Sequence, residues 1–172
     1  MLRLALLRHA KSSWDDSTLD DFSRPLNARG LQIAPVMGAV LASLNFTPDR
    51  ILCSPSERTT ETLKCIQPSF HGAQPKVSFE DALYLAGTAE LLTVLRTVAS
   101  QFSKVLVIGH NPGLHHLAVK LAATGDGNQI ARLEDKFPTA ALAVYTFPQA
   151  DWHSVDPATG ILDAFITPKD RA

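Results

Sequence analysis

The sequence predicts an α/β fold: a single-domain three-layer sandwich with a mostly parallel sheet, helices on both faces and an antiparallel edge or hairpin near the C-terminus. Four short runs rich in Leu, Val and Ile (residues 2–8, 49–54, 75–79 and 103–110) alternate with stretches of helical periodicity. Strands separated by helices pair in parallel through crossover connections. After residue 138 the pattern changes to three strand-like runs (139–147, 150–155 and 160–167) joined by turn residues, which predicts an additional strand and a hairpin at the sheet edge. The chain has 172 residues, of which 45% are hydrophobic, so residues 1–172 read as one domain with a sizeable core.

Taken in order, the first strand is "LRLALLR". The first helix starts near Asn27 in "RPLNARG" and runs to about Leu44, with Pro35 as a kink. The second begins in "SPSERTTETLKCI", where Thr59, Thr62, Leu63 and Ile66 share a face, and stops before Pro68. Thr88 or its neighbour caps the third, over residues 89–102. The fourth follows "HNPG" over residues 114–123 and ends in "TGDGNQ". That glycine-rich segment and "RPLNARG" read as mobile surface loops.

Sixteen basic and seventeen acidic residues give a formal net charge of −1, so the chain carries no global footprint for nucleic acid or an anionic membrane. The apolar opening is too short to span a bilayer and is broken by Arg3 and Arg8, and no small-residue cleavage site follows it. Two cysteines form neither a disulfide framework nor a zinc spacing. A cytoplasmic protein is expected.

Ligands of open parallel sheets bind beyond the carboxyl ends of the strands. The first strand delivers Arg8 and His9 there. The second runs through Ser54 into a helix whose first turn holds Arg58, and the fourth ends in Gly109, His110 and Asn111. Arginine forks match phosphate oxygens, and the helix N-terminus adds positive potential at Arg58. A neutral imidazole among cations is a good nucleophile, and a second, protonated one stabilises oxygens in transit. Phosphoryl transfer then needs no metal and no cofactor. A histidine nucleophile with an ordinary pKa of about 6.5 would lose activity in mild acid.

With these residues assembled, the chain resembles the histidine phosphatase superfamily, through "LLRHAKS", "RPLNARG", "CSPSERTTET", "LVIGHNPG" and "KFPTAALAV" in that order; Ala10 replaces the glycine of the signature Arg-His-Gly. The ordered set is similar to the SixA-type phosphohistidine phosphatase branch and implies its phosphoglycerate mutase-like fold. The resemblance implies that His9 is transiently phosphorylated, that Arg8 and Arg58 bind the phosphoryl oxygens, and that His110 completes the pocket. It places Arg24 at the rim, where a structural salt bridge is the alternative role, and makes Ser12, Asn111 and Thr139 candidate hydrogen-bond donors to substrate. The implied partners are a phosphorylated protein, such as a histidine phosphotransfer protein, or a small phosphoramidate.

One departure bears on substrate. Many superfamily members carry an acid beyond the third strand to protonate the leaving group, and the corresponding position here is Leu85. Glu80 and Asp81 are the available substitutes. An alcohol departs poorly without an acid, whereas a phosphohistidine releases neutral imidazole unaided. A broad phosphomonoesterase using Glu80 or Asp81, and a non-catalytic phosphohistidine-binding module, are the alternatives. A cysteine phosphatase is disfavoured because only four residues separate Cys53 from Arg58 and one is Pro55, which has no N–H. A metallohydrolase is disfavoured because His115 and His116 are adjacent rather than i,i+4.

Overall fold

The computed structural model describes residues 1–171. Its seven strands are β1 (Leu2–Arg8), β2 (Arg50–Cys53), β3 (Lys76–Phe79), β4 (Lys104–Gly109), β5 (Ala122–Gly125), β6 (Leu142–Phe147) and β7 (Gly160–Ile166). Its five α-helices are α1 (Ala28–Ser43), α2 (Glu57–Ile66), α3 (Thr88–Arg96), α4 (Gly113–Leu121) and α5 (Gly127–Asp135). The strands form one sheet in the order β3-β2-β4-β1-β6-β7-β5. Parallel pairing joins β3 to β2, β2 to β4, β4 to β1 and β5 to β7, while β6 runs antiparallel to both β1 and β7.

The period of two along each strand sorts the apolar side chains into two cores. Leu2, Leu4 and Leu6 of β1, with Val105 and Val107 of β4, pack toward α3, α4 and α5. Ala5 and Leu7, with Leu106 and Ile108, pack toward α1 and α2. Both faces of β1 and β4 are thus buried, which is why these strands read as unbroken hydrophobic runs.

Four segments differ from the sequence expectation. Residues 24–30 are not a mobile loop: Arg24 and Leu26 are buried, Leu26 pairs with Ser12 in an isolated bridge, and the Asn27 side chain caps α1 by accepting from the Gly30 N–H at 2.9 Å. Gly30 is needed there because a Cβ would collide with the Lys11 carbonyl. The segment "TGDGNQ" is not a loop either. Residues up to Gly125 form the edge strand β5, outside the antiparallel β6–β7 pair, and Asp126 caps α5 by accepting from Gln129 at 3.1 Å. Residues 150–155 contain a short 3₁₀ turn, Trp152–Ser154, rather than a strand, and buried Trp152 donates its indole N–H to the Phe102 carbonyl at 2.6 Å. Helix α3 ends at Arg96, before the β-branched Thr97 and Val98, instead of reaching residue 102. Among the described residues no helix is long and apolar enough to cross a membrane.

Candidate active site

The sheet order places the carboxyl ends of β2, β4 and β1 side by side. Arg8 closes β1 and His9 follows it; Arg58 sits in the first turn of α2; His110 follows β4. These four residues, together with Ser12, Arg24, Asn111 and Thr139, line one cleft of about 210 Å³. All eight are therefore brought together. Glu80 and Asp81 are not: the Glu80 carboxylate accepts from the Ser78 hydroxyl at 2.6 Å, and Asp81 is exposed at the start of a 3₁₀ turn. Leu85 does reach the cleft wall, with a left-handed φ of 49°.

The two imidazoles are buried, with ring centroids 5.3 Å apart. His9 holds its proton on Nδ1, which donates to the Ala10 carbonyl at 2.7 Å, so the Nε2 lone pair faces Arg58 Nε at 3.4 Å. Burial first, then His110, Arg58 and Arg8, push His9 down to about 3 against the opposing bond to Ala10. The lowered value moves the window in which His9 would protonate below that of an ordinary histidine. His110 is also neutral, pushed down to about 3 by burial and by Arg58. Its Nδ1 accepts from Arg58 Nη2 at 3.3 Å and its Nε2–H donates to Ser54 Oγ at 2.7 Å. The protonated second imidazole anticipated from sequence is absent because the guanidinium already donates to it.

Arg58 is held by Asp21, a residue the sequence reading missed. Its Nη1 donates to the Asp21 carbonyl at 2.7 Å and its Nη2 to the carboxylate at 3.0 Å. The same carboxylate accepts from Arg24 at 3.0 Å and from the Tyr84 hydroxyl. Burial acts to raise the Asp21 pKa, but the bonds from Tyr84, Arg58 and Arg24 outweigh it and bring the group to about 2. Tyr84 packs edge-on against His110, and Phe22 edge-on against Tyr84, so residues 21 and 22 brace the site's outer wall. Only the spacing of Asp21 three residues before Arg24 could have flagged it.

Arg24 is both pocket wall and salt-bridge partner, for besides Asp21 it donates to Ser12 Oγ at 2.6 Å and its guanidinium lies 3.2 Å from the Trp14 ring centre. Arg8 Nη1 and Asn111 Nδ2 both donate to the Phe137 carbonyl, at 3.1 and 2.7 Å. One Asn111 amide N–H is thus already engaged, and buried Arg8 Nε has no protein partner among the described residues. Burial and Arg58 lower the Arg8 pKa. Lys11, also missed, adds a further cation to the cleft. Cys53 is buried and its thiol is pushed up to about 12, so it is no thiolate nucleophile. His115 is occupied by the Leu133 carbonyl at 2.6 Å.

The model of the histidine phosphatase superfamily (branch 1) matches residues 4–83. An uncharacterized protein of Mycobacterium tuberculosis is 30% identical over 165 residues, which cover 95% of this chain and 100% of that relative. The chain belongs to the histidine phosphatase superfamily. Its likeness within the superfamily is to SixA-type members. A solved structure from Nakamurella multipartitia that bears the assignment phosphohistidine phosphatase SixA superposes with a TM-score of 0.84 at 26% identity, covering 97% of this chain and 96% of that one. A second with that assignment, from Agrobacterium tumefaciens, gives 0.79 at 28% identity, covering 97% and 98%. This superfamily phosphatase therefore has the phosphoglycerate mutase-like fold expected of it.

Proposed function

We propose that this phosphatase hydrolyses phosphohistidine, on a protein or as a small phosphoramidate, in the cytoplasm and without a metal. Arg8 and Arg58 bind the phosphoryl oxygens, with the side chains of Arg24, Ser12 and Thr139 at the rim. The His9 Nε2 lone pair attacks phosphorus in line. A P–Nε2 bond forms while the bond from phosphorus to the substrate's ring nitrogen breaks, and the leaving imidazole keeps the proton on its other nitrogen and departs neutral. Water then attacks phosphorus, the P–Nε2 bond breaks, and His9 returns to its neutral form with Nδ1–H still directed at Ala10. His110, neutral with Nδ1 accepting from Arg58 and Nε2–H donating to Ser54, steadies the Arg58 guanidinium against the phosphoryl oxygens.

The observation that carries the substrate assignment is the cleft wall at Leu85, with Glu80 and Asp81 outside the cleft and Asp21 held ionised by its cationic partners. Among the described residues no carboxylic acid is positioned to protonate an alkoxide, so a leaving group that needs no acid is favoured. The test is rapid-quench labelling of wild type and His9→Ala with a phosphohistidine peptide, read by mass spectrometry under basic conditions that preserve phosphohistidine. Phosphate on His9, and loss of turnover in a folded variant, are expected. Turnover by His9→Ala without labelling would overturn the mechanism.

A further inference from the structure

Beside the catalytic cleft runs a larger groove of about 500 Å³ between α1 and the C-terminal 3₁₀ turn. It is continuous with the cleft, because Lys11 and Thr139 line both. Its charged lining residues are Lys11, Arg29 and Lys169, with no carboxylate among them, and among the described residues none of the three is in an ion pair. Ile33, Val36 and Pro168 supply an apolar floor, and Leu31 of α1 is about half exposed nearby. In a chain with net charge −1 this local excess of cations is a feature of one face.

We infer that this groove docks the protein that carries the phosphohistidine, through an acidic amphipathic helical segment whose apolar side covers Ile33 and Val36 while its carboxylates face Arg29 and Lys169. The inference rests on the phosphohistidine reading above. A small phosphoramidate needs only the 210 Å³ cleft and has no use for an apolar floor outside it. A polypeptide does, since apolar burial holds it while rim charges steer its approach. Concavity, and the shared wall at Lys11 and Thr139, favour a peptide threaded toward the cleft over a flat lipid surface.

The experiment uses three substrates: free phosphohistidine, and two amphipathic helical peptides with one phosphohistidine each, whose polar faces carry either glutamates or lysines. Wild type should favour the glutamate peptide over the lysine peptide by about tenfold or more in kcat/KM, chiefly through KM. Arg29→Glu combined with Lys169→Glu should abolish that preference and leave turnover of free phosphohistidine within about twofold, since neither residue lines the catalytic cleft. Equal use of both peptides by wild type, or an equal loss on all three substrates in the variant, would overturn the inference. So would sedimentation of wild type, and not the variant, with phosphatidylserine vesicles when no peptide preference exists. Fluorescence anisotropy of both peptides carrying a hydrolysis-resistant phosphonate in place of the phosphoryl group separates docking from chemistry. If wild type turns over no phosphohistidine, the functional reading fails, while docking stands or falls on whether charge reversal removes selective binding of the glutamate peptide.

Discussion

Acidification should unfold this protein before it protonates the nucleophile. Both imidazoles are almost fully buried and both are pushed down from 6.5 to about 3, a drop corresponding to roughly 5 kcal/mol against charging each ring in the folded state. In the unfolded chain they titrate normally, so between pH 6.5 and 3 the unfolded state binds more protons and stability falls as pH falls. At pH 5 the loss is about 2 kcal/mol for each ring, and by pH 4 it is about 3. The two losses overlap because His110 contributes to the His9 shift, and together they remove a large part of the roughly 5–15 kcal/mol that bounds a domain's stability. Asp21 acts in a lower window: its folded pKa of about 2 contributes stability above 3.8 that is lost as pH falls through 2. Imidazole 15N NMR should therefore show two neutral rings at pH 5.5, and circular dichroism should show a cooperative loss of structure between about pH 5 and 4. Inorganic phosphate should shift that transition to lower pH by binding the folded state. Protonation of either ring near pH 6.5 in an intact fold would refute the reasoning.

Three further outcomes follow from the site. Leu85→Glu places a carboxyl on the cleft wall and should raise phosphomonoester turnover by about tenfold to a hundredfold while changing phosphohistidine turnover little; no gain in steady-state assays, with the fold intact, would show that geometry and not the missing acid limits esters. Asp21→Asn keeps the shape but removes the charge that holds Arg58 and Arg24, so kcat/KM should fall about tenfold to a hundredfold, and an unchanged value would dismiss Asp21 as a positioning residue. Cys53→Ala should retain turnover within about twofold, because the thiol is protonated and faces the Ser54 carbonyl; abolished turnover in a folded variant would return the cysteine mechanism to contention.

The parts legible in the sequence were those where local chemistry and global fold agree. Strands β1, β2, β3 and β4 announced themselves through apolar runs, and because a parallel sheet aims their ends at one place, Arg8, His9, Arg58 and His110 could be grouped without coordinates. Helix α5 was hidden because Gly125, Asp126, Gly127 and Asn128 look like a loop, although Asp126 is a helix cap. The 3₁₀ turn at Trp152 was mistaken for a strand because its apolar residues are buried by a tertiary hydrogen bond to Phe102. Asp21 was hard to find for a related reason: apart from its i,i+3 spacing to Arg24, its partners Arg58 and Tyr84 lie 37 and 63 residues away, beyond any spacing rule. The two neutral imidazoles were only half anticipated, since their low proton affinity comes first from burial, which a sequence does not display at a strand end.

The proposed preference for phosphohistidine has a symmetry that makes it more than the loss of an acid. In the proposed mechanism the intermediate on His9 is itself a phosphohistidine, and breaking it would release an imidazole whose other nitrogen keeps its proton through the 2.7 Å bond to the Ala10 carbonyl. A pocket able to complete the second half of the reaction therefore already departs from a nitrogen leaving group without a carboxylic acid. The first half becomes chemically equivalent when the substrate is also a phosphohistidine, because donor and acceptor then exchange one imidazole for another. An alkyl phosphate breaks that equivalence: its alkoxide needs a proton at the position occupied by Leu85. Selectivity on this account arises in the step that forms the intermediate. A burst of released leaving group on phosphohistidine, and none on an alkyl phosphate, is the kinetic signature it requires.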